Sequence, residues 1–330
     1  MRLATYQHRL HGEAPQVGVA QGDRLLRASA LLNESGPLDM LTLLDRGPAA
    51  LRSLQVAAEE FAARHRDALL IPREVAVPIW EARLLPPVPR PRSLRDFYAF
   101  EQHVKSAYRK RGRDVPPAWY EVPVFFFLHA GSMVGPDAVV PKPRETKELD
   151  FEFEIACVIG TPGRDIPASR AWEHIAGFTI LNDWSARDIQ RQEMSVGLGP
   201  AKAKDFATSL GPYLVTTDEL RDRIENDRLN LTMVARVNGE EVCRSNAREM
   251  YWTWPQLIER ASTNVWLCPG DVIASGTVGG GCLLELGTEV HPWLEPGDEV
   301  EFEVERLGRL RNVIADPDSE RAANGMCRPH

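Results

Sequence analysis

Long apolar runs are missing from this chain. No stretch of its 330 residues approaches the ~20 consecutive apolar positions of a membrane helix, and Met1-Arg2-Leu3-Ala4-Thr5-Tyr6 lacks the apolar core of a secretion signal. Cysteine is sparse. Positions 157, 243, 268, 282 and 327 are odd in number and contain no Cys-x-x-Cys pair, which argues against a disulfide frame or a zinc knuckle and for a reducing cytoplasm. Positive charge is also short: 39 Lys and Arg against 47 Asp and Glu leave a formal net charge of −8. That balance disfavours nucleic acid and anionic membrane as partners. Nucleotide-binding glycine patterns are absent, so Gly279-Gly280-Gly281 is not read as a phosphate cradle. Neither Gly-x-Ser-x-Gly nor His-Glu-x-x-His occurs, which argues against a serine hydrolase and a zinc peptidase.

What is present is an ordinary globular composition, 43% hydrophobic and 26% charged, in a chain long enough for one large domain and a small one. Residues 1–83 read as a small α/β module. Val17-Gly18-Val19-Ala20 and Arg24-Leu25-Leu26 form a hairpin across Gly22-Asp23, and Pro37 to Leu44 and Ala49 to Arg66 have helical periodicity. The proline-rich stretch Leu84 to Pro91 reads as an extended linker. Phe97 to Arg111 reads as a helix, and beyond Tyr120 strands and turns dominate. Pro269-Gly270-Asp271 and Pro296-Gly297-Asp298 each launch a strand, and residues 316–330 form a polar, flexible tail.

The most informative segment is Asp150-Phe151-Glu152-Phe153-Glu154-Ile155-Ala156-Cys157-Val158-Ile159-Gly160. Read as one strand, it sends Phe151, Phe153 and Ile155 to one face and Glu152, Glu154 and Ala156 to the other. At ~3.3 Å rise per residue the two glutamates leave that face about 6.6 Å apart and can converge on one point. Converging carboxylates need a counter-charge, and a hard divalent cation satisfies a pair of them; alternatively the strand is half-buried with a solvated acidic face. Downstream, Ile180-Leu181-Asn182-Asp183 delivers a third carboxylate to a strand end. A helix follows, with Ser185 as its N-cap and Arg187, Gln190 and Arg191 on one face. Carboxylates beside a guanidinium and a carboxamide suit metal-assisted chemistry on an oxyanion.

These runs, together with Asn182-Asp183-Trp184-Ser185-Ala186-Arg187-Asp188-Ile189-Gln190 and Ser275-Gly276-Thr277, resemble the fumarylacetoacetate hydrolase family over approximately residues 84–315. The resemblance implies an α+β, mostly β fold, a mixed β-roll for residues 84–315 carrying the small N-terminal domain. It implies a homodimer and hydrolysis of a carbon–carbon bond in a β-diketo acid such as an acylpyruvate. It also implies a divalent cation, Mg²⁺ with Mn²⁺ or Ca²⁺ as alternatives, held by Asp96, Glu152, Glu154 and Asp183. His103 would then be the general base, oriented by Glu285, although Glu285 could also be a strand-face residue among leucines. Arg187, Gln190 and Lys204 would stabilise the oxyanion, Lys202 being a surface neighbour, and Tyr98, Gln190 and Thr277 would contact substrate.

The sequence departs from the family pattern at the specificity end. Phe126 and Met194 stand where tyrosines are expected, and the arginine that grips the distal carboxylate has no single counterpart among Arg109, Lys110, Arg111 and Arg113. Phe126 and Arg111 are therefore taken as the substrate-binding candidates, with a preference for a neutral or apolar tail. Two alternatives stay open: a metal-dependent hydratase, isomerase or decarboxylase of a 2-oxo acid, and a non-catalytic ligand-binding relative.

Overall fold

The strand Phe153–Ile159 is the axis of the molecule. Its alternate residues feed two separate apolar clusters. Phe153, Ile155, Cys157 and Ile159 belong to one and Ala156 and Val158 to the other, so both of its faces are buried. The computed structural model describes residues 1–9, 14–65 and 72–318. Among them, no helix is long and apolar enough to cross a membrane.

A mixed sheet of 12 strands is built around this axis. Phe153–Ile159 pairs antiparallel with Ile175–Asp183 on one side and Val272–Ala274 on the other. Val272–Ala274 continues in parallel to Leu94–Phe97, and the edge strand Phe125–Phe127 follows. In the other direction, Ile175–Asp183 pairs with Thr208–Thr216 and that strand with Arg2–His8. The expected hairpin, Gln16–Gln21 with Arg24–Arg27, extends the same sheet. Helices Met40–Asp45, capped by Asp39, and Gly47–Arg64 supply Leu43, Leu44, Leu54 and Ala58 to the cluster over the Ala156 face. A second sheet of five strands, including Thr232–Val237, Glu299–Val304 and Gly308–Ala315, covers the opposite face. Phe302 stacks on Phe153 there at 4.1 Å between ring centroids.

Several local expectations are corrected. The 150–160 segment is two strands, Leu149–Asp150 and Phe153–Ile159, because the first pairs with Ser185–Ala186 in a separate ribbon. Phe97 belongs to the strand Leu94–Phe97, locked by register to Val272–Ala274, and the helix runs from Glu101 to Lys110. Strand pairing thus overrides local helical spacing at Phe97. Ser185 is not the helix cap. Its hydroxyl donates to the Asp183 carbonyl at 3.0 Å, and helix Arg187–Ser195 starts from Ala186. Leu84 and Leu85 lie in a strand, Ala82–Leu85, paired with Arg2–His8, and Pro86, Pro87 and Val88 are buried. The 47–64 helix ends two residues before Arg66, which lies outside the described residues, as does all of the tail beyond residue 318.

Candidate functional site

Strand register alone brings three carboxylates together. Pairing of Phe153 with Asn182 sets Glu152 across from Asp183, whose N–H donates to the Glu152 carbonyl at 3.2 Å. The Asn182 carboxamide oxygen accepts the Glu152 N–H at 3.0 Å, which holds the glutamate where the strand breaks. Asp96 arrives from the parallel strand, in register with Ala274, itself opposite Ala156. Carboxylate oxygens of Asp96, Glu152 and Glu154 all lie within 4.8 Å of one another, and none of these residues is more than 6% exposed. The solvated-face alternative for this acidic pair is not what the structure has.

The turn after Val272–Ala274 fixes Glu154. Gly276 N–H donates to its Oε2 at 3.0 Å and Thr277 Oγ1 to its Oε1 at 3.3 Å. Gly276 adopts φ +81°, and a Cβ there would lie 2.3 Å from the Phe97 carbonyl oxygen, so only glycine fits. Thr277, expected against substrate, is thus bonded to a carboxylate of the cluster.

The positive partners are Lys204 and Arg187. Lys204 Nζ bridges Glu152, at 2.5 Å, and Asp183. Lys202, two residues away, is exposed and pairs with Asp205 at 2.9 Å. Arg187 donates from Nε to Asp150 at 2.8 Å and from Nη1 to the Gln190 carboxamide oxygen at 3.0 Å, and Nη1 also lies 2.8 Å from Glu152. Its Nη2 is buried without a hydrogen-bond partner. Asp150 was not singled out from the sequence. It is fully buried, anchors Arg187, and accepts the N–H groups of Leu283 and Leu284 at 2.8 and 3.0 Å. The signal was its spacing, two residues before Glu152.

Two cationic side chains do not balance this much buried acid. Burial, partly offset by Lys204, pushes the Asp96 carboxyl up to about 6. Burial and then the charges of Asp96, Glu152 and Asp183 raise Glu154 well above the carboxylate range, and burial raises Asp183 in spite of Lys204. Burial also works against ionisation of Glu152, but Lys204 and Arg187 together hold it below its ordinary value. Asp96 Oδ1 and Asp183 Oδ1 are buried with no hydrogen-bond partner. Hard oxygen donors, converging, undercompensated and partly orphaned, fit a divalent cation of the Mg²⁺, Mn²⁺ or Ca²⁺ class.

Beside the cluster stands a second group. His103, on helix Glu101–Lys110, forms a short hydrogen bond through Nδ1 with Glu285, and both side chains are 5% exposed. Glu285 sits on a short helix, Leu283–Leu286, not on a strand face. Burial would raise its carboxyl, but His103 and the Gly280 N–H at 3.2 Å bring it below its ordinary value. Cys282 donates its thiol to Glu285 at 3.7 Å, a contact the sequence reading did not anticipate. Tyr98 packs edge-on to His103 at 5.3 Å.

The rim is looser. Phe126 is half-buried, its ring 5.8 Å from Lys204 Nζ. Arg111 is exposed, with Nη2 3.9 Å from Met194 Sδ, and its charge acts on the Tyr98 hydroxyl. Arg109, Lys110 and Arg113 are also exposed.

Known proteins resemble the chain in sequence and in fold. Residues 93–315 match the family model described as fumarylacetoacetate (FAA) hydrolase, C-terminal. The chain is 34% identical over 317 residues to the mitochondrial oxaloacetate tautomerase Fahd2a of Rattus norvegicus, covering 95% of this chain and 91% of that one. It is 29% identical over 380 residues to fumarylacetoacetase of Bos taurus, covering 95% and 88%. Among solved structures, an HpcE-type protein of Mycobacterium smegmatis superposes with a TM-score of 0.73 at 28% identity, covering 96% and 100%. Maleylpyruvate hydrolase of Sphingobium sp. SYK-6, solved with manganese(II) and pyruvate, shares the fold with a TM-score of 0.68 at 22% identity, covering 96% and 99%.

Proposed function

The chain belongs to the fumarylacetoacetate hydrolase family, and on that premise we propose that it hydrolyses a carbon–carbon bond in a β-diketo acid of the acylpyruvate class. The observation that carries this reading is the His103–Glu285 pair set beside the carboxylate cluster. A divalent cation held by Asp96, Glu152, Glu154 and Asp183, Mg²⁺ by the hardness of the donors, would supply Lewis-acid polarisation of the substrate's oxygens.

The side chains then divide the work. Glu285 engages His103 Nδ1, which leaves Nε2 to accept a proton from water. The resulting hydroxide adds to the distal carbonyl carbon. Arg187 Nη2, a buried donor with no partner, is suited to receive the oxyanion, and Gln190 is tied to the same guanidinium. When the carbon–carbon bond breaks, its electron pair stays with the pyruvate fragment as an enolate. His103 then returns the proton to carbon. Lys204 holds Glu152 and Asp183 in place and shares Glu152 with Arg187. Tyr98, packed on His103, and Phe126, beside Lys204, would form the walls, and Arg111, exposed against Met194, would meet the tail.

A second reading, tautomerisation of a 2-oxo acid, is favoured by the likeness to the rat tautomerase. It would use the same base to move a proton between carbon and oxygen, with no water attack and no cleavage. One experiment separates the two: NMR of products after incubation with acylpyruvates and with enol-oxaloacetate in Mg²⁺. Pyruvate with a carboxylic acid supports hydrolysis. Enol loss without cleavage supports tautomerisation, and turnover of neither would favour a binding protein.

A further inference from the structure

The segment that joins helix Arg187–Ser195 to Lys204 is built as a closed eye beside the site. Its two ends are held by one side chain. The Glu193 carboxylate accepts N–H groups from Ala201 at 2.9 Å, Lys202 at 2.6 Å and Ala203 at 3.3 Å. Burial of Glu193 opposes its ionisation, but those three donors hold its carboxyl below the ordinary value, so it remains an acceptor at neutral pH. The knot reaches the site directly. Lys204 N–H bonds the Ala201 carbonyl at 3.0 Å, and the Ala203 carbonyl accepts from Ala186 N–H at 2.9 Å, next to Arg187. Whatever fixes residues 201–203 therefore fixes the backbone that carries Lys204.

The eye itself has the opposite character. Val196 is 81% and Leu198 83% exposed, aliphatic side chains with no cover. They alternate with Gly197 at φ +83° and Gly199 at φ +134°, conformations that keep the strip narrow and let it bend. Met194 opens the eye and meets Arg111 at 3.9 Å, which places it on the rim. With both ends pinned at Glu193 and only seven residues between, 194–200, no Cα of the tip lies more than about 14 Å from the nearer end of the loop. Phe126, whose ring lies 5.8 Å from Lys204 Nζ, and Met194 at the start of the loop are both apolar where the family pattern has phenols.

We propose that Val196 and Leu198 are specificity-determining residues that cover the acyl tail of the substrate, and that Glu193 is a positioning residue that fixes the base of their loop and, through it, Lys204. The inference rests on the diketo-acid reading above for the identity of the tail. It predicts an enzyme that favours extended alkyl or aryl tails over short ones.

The test uses the full-length Mg²⁺-loaded protein and acylpyruvates with methyl, butyl and phenyl tails. In Val196→Ser/Leu198→Ser, the kcat/KM ratio of butyl to methyl should fall about tenfold, through KM. Glu193→Ala should lower kcat for every tail and raise hydrogen exchange at residues 201–204, and Glu193→Gln, which keeps one acceptor oxygen, should recover part of both. An unchanged butyl-to-methyl ratio in the double variant overturns the tail assignment. A drop in sedimentation mass of that variant also overturns it, because the patch would then cover a second copy of the chain. Wild-type kcat in Glu193→Ala overturns the positioning role. If the wild-type protein turns over no acylpyruvate, only the reaction reading fails. The loop is then tested by Kd for 2-oxo acids from pyruvate to 2-oxooctanoate, where equal chain-length dependence in wild type and double variant overturns it.

Discussion

The floor of the site and its rim are made by different means. The floor carboxylates issue from strands, or in the case of Glu152 from the break beside one, whose register is set by sheet hydrogen bonds, and every one of them is nearly sealed from water. The rim, Arg111, Met194 and the 194–200 loop, comes from helix ends and a glycine-hinged strip with large apolar surface exposed. A group on the floor cannot move without moving the sheet, so its geometry is suited to chemistry that tolerates little misplacement. A group on the rim can be exchanged with little cost to the fold, which suits selection among substrates. Substitutions on the floor should therefore alter rate or cation binding, and substitutions on the rim should alter preference.

The largest effect should come from His103→Ala. Loss of a general base typically costs 10²–10⁴-fold in rate, so kcat should fall by about that factor while cation affinity measured by calorimetry stays within about twofold. Comparable turnover by this variant would detach the dyad from the chemistry. If Glu154 is a ligand as proposed, Glu154→Gln should weaken cation binding by at least about a hundredfold, because it replaces a carboxylate held by Gly276 and Thr277 with a neutral group. The cation titration checks it directly, and unaltered affinity would move the ion elsewhere. Phe126→Tyr tests the rim. A phenol beside Lys204 can donate to a carboxylate tail, a charge-assisted bond of about 1.5–3 kcal/mol. The kcat/KM ratio of carboxyalkyl to alkyl acylpyruvates should accordingly rise about ten- to a hundredfold, and no change would take Phe126 out of tail selection.

The smallest effect lies under the floor. Asp188 accepts from Thr146 Oγ1 at 2.5 Å, Lys147 N–H at 2.8 Å and Ile189 N–H at 3.0 Å, tying the helix start to the Asp150 strand. Burial would raise its carboxyl, but these donors hold it below the usual value. A depressed carboxyl contributes stability that is present above the unfolded value, ~3.9, and disappears as pH falls through the folded one. Asp188→Asn should cost about 1 kcal/mol at pH 7, read as a Tm lower by a few degrees. The gap between variant and wild type should shrink below about pH 4. A gap of constant size across that range would mean that the carboxylate charge is not what stabilises the helix start.

Much of the floor was legible in the sequence because alternation in a strand is a short-range property. Glu152 and Glu154 share a side by simple parity, and Asn182-Asp183 ends an apolar run, so the acid is delivered to a strand end. The errors come from long-range pairing, which leaves no local trace. Phe97 has helical neighbours yet ends a strand whose preceding residues pair with Val272–Ala274, far along the chain, and is itself paired with Phe125. Ser185 has the chemistry of a cap but is drawn into a ribbon with Leu149–Asp150. Asp150 escaped notice because its partners, Arg187 and the 283–284 backbone, come from two distant segments. The thiol contact of Cys282 with Glu285 was hidden for a different reason. It depends on a short helix where the leucine flanks suggested a strand.

The parallel pairing of Leu94–Phe97 with Val272–Ala274 bears on how the molecule comes into being. Ser93 and Asp271, joined at 2.6 Å across the start of that pair, are 178 positions apart. Closing a loop of that length draws heavily on chain entropy and is repaid only when both strands have a sheet to join. Asp96 is therefore expected to reach Glu154 late, after the central pair Phe153–Ile159 with Ile175–Asp183 has formed. On refolding, native secondary structure should return before enzymatic competence, and the delay between them measures the time needed for the first third of the chain to find the last.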